Sequence, residues 1–170
     1  MKWMLMPLRR YAEFGGRSRR MEYWMFALFL VIVYILFLGA LIATGFPGRA
    51  SGGAGFGAVV VVILFTGLFW LATLLPGIAV QVRRLHDTDR SGWWVMLWAG
   101  PMIVSNISPL LMAATQSVAL VAISVIASLA FFIGCVVLLV FYCLPGTRGE
   151  NRFGPDPLGD TTESLAETFA

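Results

Sequence analysis

The sequence predicts an all-α polytopic membrane protein, a bundle of four transmembrane helices with an N-terminal interfacial amphipathic segment. Three observations carry this prediction. Of 170 residues, 59% are hydrophobic and 12% charged, with a mean hydropathy of +0.84, whereas a soluble domain is roughly half apolar and a quarter charged. The charges are crowded: no Asp, Glu, Lys or Arg occurs from Tyr23 to Gly48, from Ala50 to Val82, or from Ser91 to Thr147. A helix rising 1.5 Å per residue needs about 20 apolar residues to cross about 30 Å of hydrocarbon, so the first two intervals hold one span each and the third holds two.

The first span is expected over residues 23–43. It is too long for a signal-peptide core of about 7–15 residues and stays uncleaved. A Gly- and Pro-rich stretch from Gly45 to Gly57 stops it. The second is expected over residues 58–82, bent by Pro76-Gly77, with Gln81 at the interface. The third, residues 93–114, contains Gly100-Pro101, Ser105-Asn106 and Ser108-Pro109, which predict a broken or kinked helix. The fourth, residues 117–144, reads as the longest and ends at Pro145-Gly146. Residues 1–157 then make a single integral-membrane domain, and residues 158–170 an acidic, mobile tail carrying Asp160, Glu163 and Glu167.

Of the twelve basic residues, eleven fall on one face and only Arg49 on the other. The positive-inside rule assigns the basic face, with both termini, to the cytoplasm. Cys135 and Cys143, eight residues apart on one helix, lie about 12 Å apart along its axis and cannot bridge. With a single His and no Cys pair at metal-ligand spacing, a metal site of the usual zinc kind is not expected, nor is any cofactor.

Three polar segments remain on the basic face. The first, Phe14 to Trp24, closes an amphipathic stretch in which Leu8, Tyr11 and Phe14 lie along the membrane surface; Ser18 is placed to cap the first span. The second, Arg83 to Trp94, reads as a short hairpin. Arg83 and Arg84 suit a helix C-terminus, Ser91 a cap, and Trp93-Trp94 an aromatic belt. His86, Asp87, Asp89 and Arg90 are left over, an excess that invites either an ion-pair network with the arginines of the first segment or a site. The third, Leu144 to Pro157, is a run of turns.

Together the segments carry a resemblance. Gly-Arg-x-x-Arg-x-Glu-Tyr-Trp from Gly16, Arg-Arg-Leu-His-Asp-x-x-Arg-Ser-Gly-Trp-Trp from Arg83, and Pro-Gly-x-x-Gly-x-Asn-Arg-Phe-Gly-Pro-Asp-Pro from Pro145 resemble the bacterial inner-membrane family called domain of unknown function 805. The resemblance covers about residues 8–158. It implies a small multi-pass protein of the bacterial inner membrane and brings no activity with it.

Function is therefore read from the polar cluster. The leading reading is a binding or accessory protein. Arg17, Arg20, Arg83, Arg84, Arg90 and Arg152 engage anionic lipid headgroups or a partner protein, while Glu22, Asp87, Asp89 and Asn151 form the structural polar cluster that pairs with some of them. A second reading is an interfacial enzyme on a phosphorylated lipid-like substrate, with His86 as general acid/base oriented by Asp87 or Asp89. A third, a small transporter, lacks the ionisable residues within the spans that mark ion paths. Nucleic acid is not expected as a partner, since net charge is only +3 and topology explains the basic clustering. A homo-oligomer is left open.

Overall fold

A computed structural model describes residues 2–44 and 53–159. Arg49 and the acidic residues from Asp160 onward lie outside them. The described residues are helical throughout their regular structure: α1 (Lys2–Arg9), α2 (Arg20–Ala43), α3 (Gly53–Asp87), a 3-10 turn (Gly92–Val95), α4 (Met96–Thr115) and α5 (Ala119–Cys143). The last four α-helices are each long and apolar enough to cross a membrane. Large apolar side chains along them stay exposed, among them Leu36, Leu110 and Phe132. That is the surface expected where lipid is the solvent.

Several boundaries differ from the sequence reading. Helix α2 begins at Arg20, and the Ser18 hydroxyl caps nothing: it is buried without a hydrogen-bond partner among the described residues. The Ser18 amide instead donates to the Arg83 carbonyl at 3.1 Å. Helix α3, with 35 residues, is the longest element, exceeding the 25 of α5. It starts inside the Gly-rich stretch, runs through Pro76, and carries Arg83 to Asp87 as helix instead of hairpin. At 1.5 Å per residue it is about 52 Å long, well beyond the hydrocarbon thickness. Its end is closed by a Schellman arrangement. The Arg90 amide donates to the Leu85 carbonyl at 2.9 Å, the Asp89 amide to the His86 carbonyl at 3.0 Å, and Asp89 takes the left-handed conformation at φ 55°.

The third span is not broken. Helix α4 is continuous across Pro101 and Pro109, and its polar side chains bond back to its own carbonyls. Ser105 and Asn106 both donate to Met102, and Ser108 donates to Val104. Thr66, Thr73, Ser124 and Ser128 do the same in α3 and α5. Each hydroxyl is thus satisfied without water.

The chain divides into two units, Met1–Phe14 with Met21–Val80, and Gly15–Arg20 with Gln81–Ala170. In the first, α1 stops at Arg9, so Tyr11 and Phe14 follow it in a turn held by the Arg10–Glu13 pair. The aromatic rings of α2 gather on Phe69 of α3: Phe29, Tyr34 and Phe37 lie 6.2, 5.7 and 5.6 Å from it between centroids. Such pairs contribute about 0.5–1.5 kcal/mol each beyond area burial.

In the second unit α4 packs on α5 through Ala127, Gly134, Leu138 and Tyr142, which share one face of α5. Gly134 sits against the Leu97 carbonyl so closely that a Cβ would overlap it. Four residues beyond Leu97, Pro101 supplies no N–H to that carbonyl. Small residues permit this backbone approach between membrane helices. Near the helix ends Gln81 Oε1 accepts from Trp98 Nε1 at 3.0 Å and from the Tyr142 hydroxyl at 3.1 Å, linking α3, α4 and α5.

Candidate functional site

The second unit brings together residues from all three polar segments. Because α3 continues to Asp87, that carboxylate stands on its last turn, facing the strand of turns after α5 and the loop before α2. Arg17 places Nε at 3.1 Å and Nη2 at 3.0 Å from Asp87 Oδ1. Its Nη1 donates to the Gly149 carbonyl at 2.6 Å, and Nη2 also donates to the Thr147 carbonyl. Arg84, one turn back on α3, pairs with Asp87 Oδ2 and donates to the carbonyls of Tyr142 and Leu144. The Asp87 carbonyl accepts the Thr147 amide at 2.8 Å.

Burial is nearly complete: the side chains of Arg17, Arg84 and Asp87 are 1%, 0% and 7% exposed. Removing such charges from water costs several kcal/mol per ion. It is offset here by satisfying the guanidinium donors with a carboxylate and carbonyl oxygens, a task for which the planar arginine fork is suited. Gly146 is obligatory at its place, since a Cβ would land on the Asp87 carboxylate. Gly149 adopts φ +76°, which favours glycine and aims its carbonyl at Arg17.

The remaining expected residues fall around this node. Arg83 is fully buried. Asn151 donates to the His86 carbonyl and to the Thr147 hydroxyl, both at 2.9 Å. Arg152 is exposed, paired with Asp89 at 3.1 Å. Arg20 is exposed and donates to the Cys143 carbonyl at 3.2 Å. Arg90 is half-buried, its guanidinium 4.1 Å above the Phe141 ring. Glu22 is buried in the first turn of α2 and belongs to the first unit.

His86 is not assembled with either neighbouring aspartate. Its Nδ1 faces the Gly16 carbonyl at 3.2 Å, and its ring lies flat on Phe153, 3.8 Å between centroids and 3° between planes. A carbonyl partner puts the proton on Nδ1. Asp87 and Asp89 are engaged by arginines, so the acid/base pairing expected from their adjacency in sequence does not form.

Five contributors escaped the sequence reading: Gly146, Thr147, Gly149, Phe141 and Phe153. The Pro-Gly and Asn-Arg-Phe-Gly turn signals around four of them marked the segment, but backbone acceptors leave no trace in residue type.

Residues 11–155 match the family described as "Protein of unknown function (DUF805)". The chain is 38% identical over 157 residues to "Inner membrane protein YhaH" of Escherichia coli K12, covering 92% of this chain and 97% of that protein. It is 37% identical over 163 residues to "Inner membrane protein YhaI" of the same strain, covering 92% and 96%. "Uncharacterized protein YiiR" of that strain is 27% identical over 150 residues, 85% of each chain. No solved structure matches. With residues from all three polar motifs meeting in the second unit, four membrane-length helices, and a match spanning most of its length, the chain belongs to the DUF805 family of membrane proteins.

Proposed function

We propose that this chain is a membrane-embedded binding or accessory protein whose arginine-rich end faces the cytoplasm and engages anionic lipid headgroups. One observation carries the reading: the described residues of the second unit hold eight arginines against four acidic residues, and the buried node consumes Asp87 with two of those arginines already in place. The surplus cations include the exposed Arg20 and Arg148 and the half-buried Arg90, with the exposed Arg152 shared with Asp89. Each basic residue near an anionic surface is worth about 1 kcal/mol. Arg17 and Arg84 serve in this reading as the scaffold that presents the others. The excess of basic residues on one face supports both termini being cytoplasmic.

Lipids retained through mild detergent extraction, identified by mass spectrometry against the composition of the source membrane, test the proposal. Enrichment of anionic phospholipids supports it. Retention in the same ratio as the bulk membrane contradicts it, and a stoichiometric protein without lipid enrichment would assign the face to a partner instead.

A further inference from the structure

Among the surplus cations Arg90 differs in its surroundings. It is half-buried, yet no carboxylate among the described residues pairs with it. Its Nη1 donates to the Thr88 carbonyl at 3.3 Å, which leaves Nε and Nη2 with no hydrogen bond among the described residues. Phe141 lies under the guanidinium at 4.1 Å, and Trp94 meets the same ring edge-on at 5.3 Å. The cation–π contact holds the guanidinium over the ring while Nε and Nη2 keep their donors free. Phe141 thus joins the cation to an aromatic wall.

That wall continues into a groove of about 360 Å³ lined by Ser91, Trp93, Trp94, Met96 and Leu97. Trp93 is 78% exposed, at the start of a membrane-length helix where such rings belong to the interface. An unpaired cation beside an apolar groove matches an amphiphile carrying a negative head. A free phosphate would leave the groove unfilled, and a zwitterionic lipid would bring a second cation toward Arg90. We infer that Arg90 and the Trp93–Trp94 groove form a binding site for an anionic phospholipid, with the phosphate on the open edge of the guanidinium and an acyl chain along the groove. This rests on the headgroup reading above and names the residue and lipid class.

The test uses the full chain in dodecyl maltoside, observed by native mass spectrometry with equimolar phosphatidylglycerol and phosphatidylcholine. The wild type is expected to retain phosphatidylglycerol about tenfold over phosphatidylcholine, because the choline cation brings like charge toward Arg90. Arg90→Gln brings the ratio near parity. Arg90→Lys keeps the charge over Phe141, so it folds as the wild type does and keeps the preference, while binding both lipids more weakly because the fork to phosphate is gone. If Arg90→Gln keeps the wild-type ratio while Arg20→Gln or Arg152→Gln abolishes it, this site is wrong and the headgroup reading stands. No preference in the wild type defeats both. Displacement of phosphatidylglycerol by millimolar inorganic phosphate, or by formation of a dimer, would overturn the lipid assignment in favour of a free anion or a second copy.

Discussion

The Arg17 guanidinium and the Asp87 carboxylate lie 3.0 Å apart across seventy residues of sequence, both almost fully withdrawn from solvent. The pair closes the loop before α2 onto the end of α3, and Thr147 and Gly149 bring the segment after α5 to the same arginine. Burial makes the geometry matter more than the charge. Arg17→Lys keeps the cation but has one nitrogen where three now reach separate acceptors. It is expected to destabilise the protein by about 2–3 kcal/mol, comparable to leaving buried charge-assisted bonds unmade. The melting temperature in detergent reads this; a Lys variant as stable as wild type would show that Coulomb attraction alone suffices.

The approach of α4 to α5 makes a separate claim. At Gly134 a Cβ meets the Leu97 backbone, which cannot swing aside, whereas at Gly39 of α2 it meets nothing within 4 Å. Gly134→Ala should therefore cost about 1–3 kcal/mol by overpacking. Gly39→Ala should be neutral or stabilising by up to about 1 kcal/mol, from the better helix propensity of alanine. Comparing the two melting temperatures checks it, and equal values would mean that the helices do not approach at Gly134.

Asp156 anchors the turns after α5 by accepting the Leu158 amide at 2.9 Å and the Gly149 amide at 3.0 Å. The Leu158 bond above all, then the Gly149 bond and the charges of Arg17 and Arg19, hold its carboxyl below the ordinary value of 3.8. A carboxyl depressed in the folded state contributes stability that is present above its unfolded value and lost as pH falls through the folded one. Amide exchange at Gly149 and Leu158 should be unchanged between about pH 7 and 5 and quicken, relative to the intrinsic rate, only below about pH 4. Asp156→Asn should remove that acid step. An acid step of the same size in the Asn variant would assign the titration elsewhere.

Orientation is open to direct labelling. With Cys135 and Cys143 replaced by Ala, a cysteine at the exposed Glu150 should be protected from an impermeant maleimide in intact cells and react after permeabilisation. One at Arg49 should react at once. The reverse pattern would invert the proposed topology.

The four spans were legible because charge-free intervals of membrane length have few other uses. Their ends were less so. Arg83 to Asp87 read as loop because charges usually mark water, yet here Leu85, Arg83 and Arg84 are all at 0% exposure on a helix that outlasts the hydrocarbon. Pro101, Pro109 and their polar neighbours suggested a break in α4, but side chains that bond within their own helix turn those polar residues into ordinary helix members. The polar segments could be foreseen as a source of ion pairs. That an arginine of the first segment would pair with the hairpin was legible; that it is Arg17, seventy residues from Asp87, with Arg84 as the second partner and backbone carbonyls completing the node, was not. For His86, adjacency suggested an aspartate, while the fold supplies a glycine carbonyl and a phenylalanine face.

The most direct measurement of the central claim, that the polar motifs fold onto one buried carboxylate, is a double-mutant cycle on Arg17→Met and Asp87→Asn. Stability would be followed by circular dichroism during titration with sodium dodecyl sulfate out of a mild detergent. Each single variant is predicted to lose about 3 kcal/mol by stranding a buried partner, and the double variant to lose less than the sum, with a coupling of at least about 1.5 kcal/mol. Strictly additive losses would contradict the node.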